Sequence, residues 1–436
     1  MENQTNIFEM LYPTFKIDKP IRLIELFAGY GSQALALKYL GIQFEHWKIC
    51  EWAIKSIQAY KDIHFGNDNI DYFDKQPFKD DWLISWLTQK GISTNYNEPM
   101  TKEQIIRLGE KQRKQIYNNI VSTHNLVNIQ QVKGKDLEIV DKDKYCYMMT
   151  YSFPCQDLSL AGKGKGMSDT STRSGMLWEV ERILSECEEK PQILLMENVP
   201  QVHGEGNKED FNKWQLRLEE MGYKNYWQDL IATDYGIPQT RNRCFMVSIL
   251  GDYNYTFPKP IPLKLKLKDL LEDKVDEKYY FITEFKPPLE DIEERGNYIQ
   301  WWKKGWLEHS CRTWKDDKVV ETLTTKGETK ILLGKQLLET IIKIKERKIC
   351  SLDLYNRQVI NNDLSQTIDT GYHNSQRLYD LKGIRKLTPK ECFRLMGVKD
   401  EDYDKIAKNQ SDSSLYHLAG DSIVVNVLMA IFKEMI

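Results

Sequence analysis

The chain has 436 residues, of which 61 are lysine or arginine and 64 are aspartate or glutamate, so its formal net charge is −3. A charge balance this close to neutral excludes a uniformly polybasic nucleic-acid binder, so that any nucleic-acid site must be a local basic patch. The length exceeds that of one ordinary hydrophobic core and predicts a large domain together with a smaller one or a long insertion.

The eight cysteines show no C-x-x-C spacing and no histidine partners. This pattern argues against a zinc site or any other metal site and against a disulfide framework, and it indicates a reducing compartment. The amino terminus lacks a signal pattern, and no uninterrupted apolar stretch of membrane-spanning length is evident. We therefore expect a soluble cytoplasmic protein without a membrane partner.

The first half of the chain alternates between short apolar runs and helical patterns. Residues 21–27 form an apolar run that ends in "AGYGS" and passes into a helical pattern stopped by Gly41. The run "FEHWKIC" follows, with Glu51 at its end, and further runs occur in "YCYMMTYSF", "QILLMENV" and "RCFMVSIL". This alternation predicts an α/β fold, with a mostly parallel sheet covered by helices on both faces.

Two regions interrupt the alternation. Residues 66–122 are polar and partly helical, and we interpret them as an insertion into a catalytic domain of residues 1–251, most simply a peripheral one. Residues 252–384 lose the alternation and predict a smaller β-rich domain. Residues 385–436 regain helical spacing in "GDSIVVNVLMAIFKEMI" and are expected to return to the main sheet.

The glycine turn after the first strand is a candidate cofactor site. Gly29 and Gly31 allow a sharp turn and close approach of a ligand, and Glu51 at the end of the second strand can accept ribose hydroxyls. A nicotinamide dinucleotide and S-adenosylmethionine both fit this description, and a tight structural turn remains an alternative. The absence of a full G-x-G-x-x-G pattern disfavours a pyrophosphate.

Reactive side chains follow three other strands. Cys155 comes after a strand and is flanked by Pro154 and polar residues, unlike Cys50, Cys146, Cys187 and Cys244, which lie in apolar runs and predict buried structural thiols. Glu197 and Asn198 end another apolar run, and Gln239, Arg241 and Arg243 lie at the start of the next. Taken singly, each charged residue is most simply an ordinary surface charge.

Together, and in this order, the motifs F-A-G-Y-G-S, C-E-W, P-C-Q, E-N-V, Q-T-R-N-R, "RKLTPKECFRLMG" and "GDSIVV" resemble those of the DNA cytosine-5 methyltransferases of bacteria and phages. The resemblance covers nearly the whole chain apart from residues 66–122 and 252–370. It implies a Rossmann-like S-adenosylmethionine-dependent methyltransferase fold with a target-recognition domain at 252–384. It also implies duplex DNA as the substrate.

The resemblance further implies a covalent mechanism on a cytosine flipped out of the duplex. The Cys155 thiolate would add to C6, a protonated Glu197 would donate to N3, and Arg243 would hold O2. Arg241 and Asn198 would fix the cysteine segment and the ring. The residues implied to bind S-adenosyl-L-methionine are Phe27, Gly29, Gly31, Glu51, Trp52, Asn128, Pro154, Leu177, Asp421 and Ser422.

The residues implied to contact DNA are Gln156, Ser159, Lys163, Lys165, Arg173, Gln239, Thr324 and Lys326. Three of the basic ones lie in a glycine-rich segment that in this family closes over DNA. Three positions depart from the family pattern: Ser32 replaces a glycine, Asp421 replaces an asparagine, and Asn128 replaces the aspartate that reads the adenine amino group. An asparagine oxygen can still accept that hydrogen bond.

Three alternatives remain at this point. A transfer-RNA cytosine-5 methyltransferase is disfavoured by the long recognition region, and a catalytically idle DNA-binding protein by the presence of Cys155, Glu197, Arg241 and Arg243. A nicotinamide oxidoreductase is the most distant alternative. We expect a monomer, and a separate restriction endonuclease is an open partner.

Overall fold

A computed structural model describes residues 12–66, 70–75, 77, 79–154, 174–283, 293–295, 298–301, 311–314, 350–353, 358–360, 376–380 and 383–436. Its main sheet has six strands: β1 (Ile21–Leu26), β2 (Phe44–Cys50), β3 (Cys146–Tyr151), β4 (Ile193–Asn198), β5 (Tyr223–Ile231) and β6 (Asn242–Leu250). Their order is β2-β1-β3-β4-β6-β5.

The predicted parallel pairing is confirmed for β2, β1, β3 and β4, whereas β6 is antiparallel to both β4 and β5. The reason is the short connection between β5 and β6, which joins antiparallel neighbours. The sheet is therefore mixed, with its parallel strands grouped at one side.

Helices cover both faces of this sheet. The helices are α1 (Ser32–Tyr39), α2 (Ile54–His64), α3 (Asp80–Lys90), α4 (Lys102–Arg107), α5 (Glu110–Ser122), α6 (Leu177–Glu186), α7 (Lys208–Glu220), α8 (Pro389–Leu395), α9 (Asp400–Ala407), α10 (Asp412–Asp421) and α11 (Val425–Lys433). Helices α1 and α8 to α11 contribute to one core cluster, while α6 and α7 contribute to another. The predicted α/β fold class is confirmed.

Alternation within the buried strands explains the two layers. In β3, Cys146 and Met148 belong to one cluster, and Tyr147, Met149 and Tyr151 to the other. Successive side chains of a strand point to opposite faces, so a strand that is apolar throughout must be covered on both sides. This is why these strands appear in the sequence as continuous apolar runs.

The sequence analysis missed strand β5. It lies at the edge of the sheet, and its middle carries half-buried and exposed residues such as Trp227, which is 44% exposed. An edge strand that is solvated over much of its length needs no continuous apolar run. The pattern that revealed the other strands is therefore weak here.

The 66–122 region is helical, as predicted in part, and α3, α4 and α5 share a third core cluster with Trp52 and Ile54 of the main unit. Helix α11 packs against α1. The stretch Asp412–Lys433 is long and apolar enough to cross a membrane, and the sequence analysis overlooked it. Because 67% of the residues in its apolar window are buried inside the fold, this stretch has the burial expected of helices in a protein core.

Shorter strands follow residue 279 and build two further sheets. They are β7 (Tyr280–Thr283), β8 (Glu293–Arg295), β9 (Tyr298–Trp301), β10 (Cys311–Trp314), β11 (Cys350–Asp353), β12 (Gln358–Ile360), β13 (Gln376–Asp380) and β14 (Gly383–Arg385). The orders are β10-β9-β8 and β12-β11-β13-β14-β7, and every pairing is antiparallel. The domain limits at 251 and 384 stay predictions.

A buried ion pair joins the end of β14 to helix α8. The Arg385 guanidinium donates to both carboxylate oxygens of Glu391, at 2.7 and 2.8 Å, and both side chains are almost fully buried. The same carboxylate accepts the backbone N–H groups of Thr388 and Glu272. Removal of either partner would leave a buried charge without compensation.

We expect Arg385→Met to lower the free energy of unfolding by about 3 to 5 kcal/mol, because the Glu391 carboxylate would remain buried without its cation. Urea unfolding followed by circular dichroism measures this. The control is Arg217→Met, which removes an ion pair between exposed Arg217 and Glu220 on α7 and should cost less than about 1 kcal/mol. Equal losses in the two variants would contradict the prediction.

Candidate functional site

The turn after β1 opens onto free space at one glycine. Phe27 and Gly29 both have positive φ, 58° and 56°, and the Gly29 N–H donates to Glu51 Oε2 at 2.9 Å. A Cβ built on Gly29 would meet no atom within 4 Å. This space beside a buried carboxylate fits the adenosine end of a nucleoside-containing cofactor.

Gly31 is required by the packing of the turn. Its φ is 81°, and a Cβ at this position would collide with the rings of Tyr60 and His64. Protein side chains already fill the space next to Gly31, so the absence of a side chain here serves internal packing. The assignment of Gly31 to cofactor contact stays a prediction.

Glu51 is the buried acid at the carboxyl end of β2. Its Oε1 accepts the Ala53 N–H at 2.8 Å, and each carboxylate oxygen retains a lone pair for a further donor. Burial raises the pKa of Glu51 to about 7, while the backbone donors Ala53 and Gly29 act in the opposite direction. Asn125, which the sequence analysis missed, holds the backbone here by bonding to both the N–H and the C=O of Glu51.

The other expected cofactor residues differ in their placement. Trp52 is half-buried beside Glu51, and Pro154 is half-buried at the end of the described segment that follows β3. The Asn128 oxygen accepts the Gln130 N–H at 3.1 Å, so it already caps a short helical turn. Leu177 is fully buried in a core cluster at the start of α6 and offers no surface to a ligand, which corrects its assignment.

Arg241 ties β6 to the carboxyl-terminal helices. Its guanidinium donates to the carbonyl oxygens of Gly420 and Ser422, at 3.0 and 2.7 Å. Burial, and to a smaller extent the nearby charge of Arg243, lower the pKa of Arg241 to about 10. These contacts place Ser422 in the interior, while Asp421 between the two carbonyls is exposed. Arg241 therefore positions the backbone at the end of α10. The described contacts do not direct its guanidinium toward a substrate.

A carboxylate and a guanidinium meet where β4 and β6 lie side by side. Glu197 Oε1 is 3.2 Å from Arg243 Nε, and Glu197 Oε2 accepts a hydrogen bond from the Ser152 hydroxyl. Glu197 is 4% exposed, so the pair lies in a recess and not on the open surface. Ser152 was missed by the sequence analysis, although it stands three residues before Cys155.

Asn198 connects this pair to the segment that leads to Cys155. Its Nδ2 donates to the Phe153 carbonyl at 3.0 Å, and its Oδ1 accepts the Val199 N–H at 2.8 Å. Asn198 is buried and fixes the backbone two residues before Cys155. The structure thus brings together Glu197, Asn198 and Arg243 with the approach to Cys155.

Gln239 was expected at the DNA surface, and the structure corrects this. Its side chain is fully buried and donates to the Leu395 carbonyl at 2.7 Å. The remaining expected contacts lie outside the described residues, namely Cys155, Gln156, Ser159, Lys163, Lys165, Arg173, Thr324 and Lys326. The thiols of Cys50, Cys146, Cys187 and Cys244 are buried, as predicted.

Two other features of the described residues lie apart from these groups. A cavity of about 870 Å³ opens beside the amino-terminal half of β2, lined by His46, His64 and Lys38 among others, and contains none of the expected site residues. His203, Asp229 and Cys244 form a group with ligand-type atoms. There His203 Nε2 lies 2.9 Å from Asp229 Oδ1, so these two side chains satisfy each other.

Comparison with known families decides among the alternatives. A sequence model of the family described as C-5 cytosine-specific DNA methylase matches residues 91–436, well over half of the chain. The chain belongs to this family. The methyltransferase therefore acts on C5 of cytosine in DNA, and a nicotinamide oxidoreductase is excluded.

Its similarity to curated relatives extends over almost the whole length. The methyltransferase is 33% identical over 422 residues to the type II methyltransferase M2.ScrFI of Lactococcus lactis subsp. cremoris, covering 95% of this chain and 99% of that one. It is 29% identical to the orphan methyltransferase M.SssI of Spiroplasma monobiae, covering 95% and 97%. Both relatives support a site-specific DNA cytosine-5 methyltransferase.

A solved structure supports the fold alone. The S. pombe Dnmt2 methyltransferase superposes with a TM-score of 0.52 at 15% identity, covering 94% of this chain and 96% of that one. At this identity the likeness confirms the α/β methyltransferase architecture and carries no conclusion about the substrate.

Ser152 is expected to orient Glu197 for catalysis. Ser152→Ala should lower the kcat of DNA methylation about tenfold, because the carboxyl would lose a hydrogen bond of the charge-assisted kind. The melting temperature and the KM for the methyl donor should stay unchanged.

The control is Thr150→Val in β3, two residues before Ser152, since no described residue bonds to the Thr150 hydroxyl. This variant should keep the full kcat. A loss in Thr150→Val as large as that in Ser152→Ala would show that the effect comes from strand packing.

Proposed function

We propose that this enzyme transfers the methyl group of S-adenosyl-L-methionine to a cytosine extruded from duplex DNA, through a covalent bond between Cys155 and C6. The observation that carries the proposal is the convergence of Glu197, Asn198 and Arg243 where β4 and β6 adjoin. Family membership supplies the reaction class, and this convergence supports the roles of the residues.

The first chemical step follows from the electronic structure of cytosine, whose C5 is a weak nucleophile. The Cys155 thiolate adds its electron pair to C6, while Glu197 protonates N3 and Arg243 donates to O2. Electron density then accumulates at C5. When bound, S-adenosyl-L-methionine supplies the methyl group that this carbon accepts. Loss of the C5 proton to a base, departure of the thiolate and return of the N3 proton to Glu197 restore the aromatic ring.

The contacts of Glu197 hold its carboxyl group at the recess proposed for the base. One oxygen accepts a hydrogen bond from Ser152, and the other forms the ion pair with Arg243. A cytosine whose O2 binds Arg243 would replace this ion pair. The Glu197 carboxyl would then be free to turn to N3.

The residues proposed to hold S-adenosyl-L-methionine are Phe27, Gly29, Glu51, Trp52, Asn128, Pro154, Asp421 and Ser422. Glu51 retains free lone pairs for the ribose hydroxyls, and Gly29 leaves room beside them. The donor set consists of a carboxylate, an amide and aromatic rings, which suits a cationic nucleoside. The fit is therefore consistent with this methyl donor.

We also propose residues 252–384 as the target-recognition domain, where antiparallel sheets with connecting loops can present side chains to the major groove. The DNA-contacting segments proposed are those of Gln156, Ser159, Lys163, Lys165 and Arg173 and of Thr324 and Lys326. Extrusion of the base costs a few kcal/mol, which contacts to the phosphates and the displaced base must offset. A monomeric cytoplasmic enzyme, with any restriction endonuclease as a separate protein, completes the proposal.

Covalent chemistry at Cys155 has a direct test. A duplex containing 5-fluorocytosine at the target should trap the wild-type enzyme as an adduct that survives denaturing electrophoresis, because fluorine cannot leave as the C5 proton does. Cys155→Ser should form no adduct, and Glu197→Gln should slow methyl transfer at least about 100-fold. Base-resolution sequencing of DNA from an unmethylated expression host would give the recognition site.

Cys187→Ser serves as the matched control, since the Cys187 thiol is buried and bonds within α6. It should retain both adduct formation and methyl transfer. An adduct in Cys155→Ser, or preferential methylation of transfer RNA by the wild type, would contradict the proposal.

A further inference from the structure

Two aromatic rings from distant parts of the chain stack beside the cofactor acid. Tyr96, in the 66–122 region, lies face to face with His417 of α10, with centroids 4.2 Å apart and planes 11° from parallel. The Tyr96 and Ser56 hydroxyls are 3.2 Å apart and share a hydrogen bond, and Ser56 stands five residues after Glu51. The region first interpreted as peripheral thus contributes a ring next to the cofactor site.

The backbone holds Tyr96 in this place. Its φ is 60°, a left-handed conformation that a tyrosine seldom adopts. The flanking turn is closed by Ser93, whose hydroxyl donates to the Glu98 carbonyl at 2.7 Å, and by Asn95, whose Oδ1 accepts the Asn97 N–H at 3.0 Å. A left-handed conformation costs a tyrosine conformational free energy, so it persists only where the surrounding contacts enforce it.

His417 pairs with the residue that departs from the family pattern. Its Nδ1 lies 2.8 Å from Asp421 Oδ2, one helical turn further along α10. Arg241 anchors the helix end by holding the carbonyls on either side of Asp421. Asp421 itself keeps 55% of its side chain exposed, and it is close enough to Glu51 to contribute to the raised pKa of that acid.

The charges around Tyr96, His417 and Asp421 do not cancel when His417 is neutral. Asp421 and Glu51 are acidic and Tyr96 is neutral, while among the described residues Lys55 on α2 is the cation near His417, which itself becomes cationic only when protonated. S-adenosylmethionine carries a sulfonium cation that its product, S-adenosylhomocysteine, lacks. A negative wall therefore distinguishes the methyl donor from the spent product by charge.

We propose that Tyr96, His417 and Asp421 form a charge-selective wall of the cofactor site, which favours S-adenosylmethionine over S-adenosylhomocysteine when His417 is neutral and relaxes when His417 is protonated. This inference rests on the proposed function, since it takes S-adenosylmethionine as the methyl donor. Stacking on Tyr96 keeps the imidazole against Asp421, so the proton on His417 sets the net charge of the pair.

The direction of the pH dependence follows from the surroundings of His417. Burial lowers its pKa, but contact with Asp421 more than offsets this and leaves the pKa above the ordinary 6.5. The imidazolium therefore cancels the Asp421 charge at pH 6 and is lost as the pH rises through the raised pKa. Preference for the cationic donor should increase between pH 6 and pH 9.

Isothermal titration calorimetry of the full chain without DNA, with each ligand at pH 6.0, 7.5 and 9.0, tests this. The ratio of the Kd for S-adenosylhomocysteine to the Kd for S-adenosylmethionine should rise about fivefold in the wild type. Asp421→Asn and His417→Gln should each show less than half of this rise, the remainder coming from Glu51, whose pKa is about 7. The ratio should stay near the wild-type pH 6 level in Asp421→Asn and should start near the wild-type pH 9 level in His417→Gln. Tyr96→Leu should lose at least half of the rise.

Two features of this design isolate the wall. The amino groups of the ligands titrate identically with every variant. Glu51, whose pKa is about 7, gains charge over the same pH range and contributes a rise of its own in every variant, so differences between variants report on the wall. His203→Gln is the matched control, because it breaks another histidine and aspartate contact of 2.9 Å and should keep the wild-type rise. Melting temperatures verify that every variant is folded.

A wild-type rise that persists in Asp421→Asn or in His417→Gln would overturn the proposal, and a full rise in Tyr96→Leu would remove Tyr96 from it. Failure of the proposed function looks different. In that case neither ligand would bind the folded wild type at any of the three pH values.

Discussion

The buried guanidinium of Arg241 is the interaction on which the site most depends. Arg241 directly precedes β6, and its guanidinium donates to the carbonyls of Gly420 and Ser422, which lie 179 and 181 residues further along the chain. A buried cation is costly unless carbonyls or carboxylates surround it, so the helix end and the strand cannot separate without exposing unpaired groups. Although burial lowers its pKa to about 10, Arg241 keeps its charge at neutral pH.

The hydrogen bonds of Arg241 hold the groups proposed for base chemistry and for cofactor binding in one rigid arrangement. Two residues after Arg241, Arg243 meets Glu197 in the recess proposed for cytosine. On the other side of the tie, α10 presents His417 and Asp421 toward Glu51. Parallel strands deliver their carboxyl ends to one edge of the sheet, and Arg241 fixes the helices that close this edge. The proposed base chemistry and the proposed cofactor selection therefore share one structural element.

Much of the fold could be predicted from sequence because the buried strands are apolar on both faces. The turn at Phe27 to Gly31, the acid at Glu51 and the pair of Glu197 with Arg243 all stand at strand ends, where local pattern and chemistry coincide. The apolar pattern did not reveal edge strand β5, because much of this strand is exposed to solvent. Its exposed residues dilute the apolar pattern that marks the other strands.

Residues whose environment depends on distant segments could not be assigned in this way. Gln239 has the composition of a surface contact, yet it is buried against Leu395. Leu177 was assigned to the cofactor by resemblance and is part of the core. Tyr96 and His417 are 321 positions apart, and no spacing rule joins them. Tertiary packing determines the environment of these residues, and the local sequence pattern does not encode that packing.

Backbone strain around Glu51 completes the picture of a preorganised cofactor site. Among the described residues, six that are not glycine have positive φ, and Phe27, Tyr96, His124 and Val127 all lie on segments around the end of β2. Phe27 donates its N–H to the Cys50 carbonyl, and the Val127 N–H bonds to Asn125, which in turn holds Glu51.

Each such conformation costs about 1 to 3 kcal/mol and survives only where neighbouring contacts over-determine it. Because these strained residues are concentrated at the end of β2, part of the free energy of folding maintains the backbone conformation at this edge of the sheet. The Glu51 carboxylate is held by Gly29 and Ala53, and the Glu51 backbone is held by Asn125, so the carboxylate presents its lone pairs in one orientation. Such a site binds a ligand without reorganising, which is the condition for a small difference in ligand charge to become a difference in affinity.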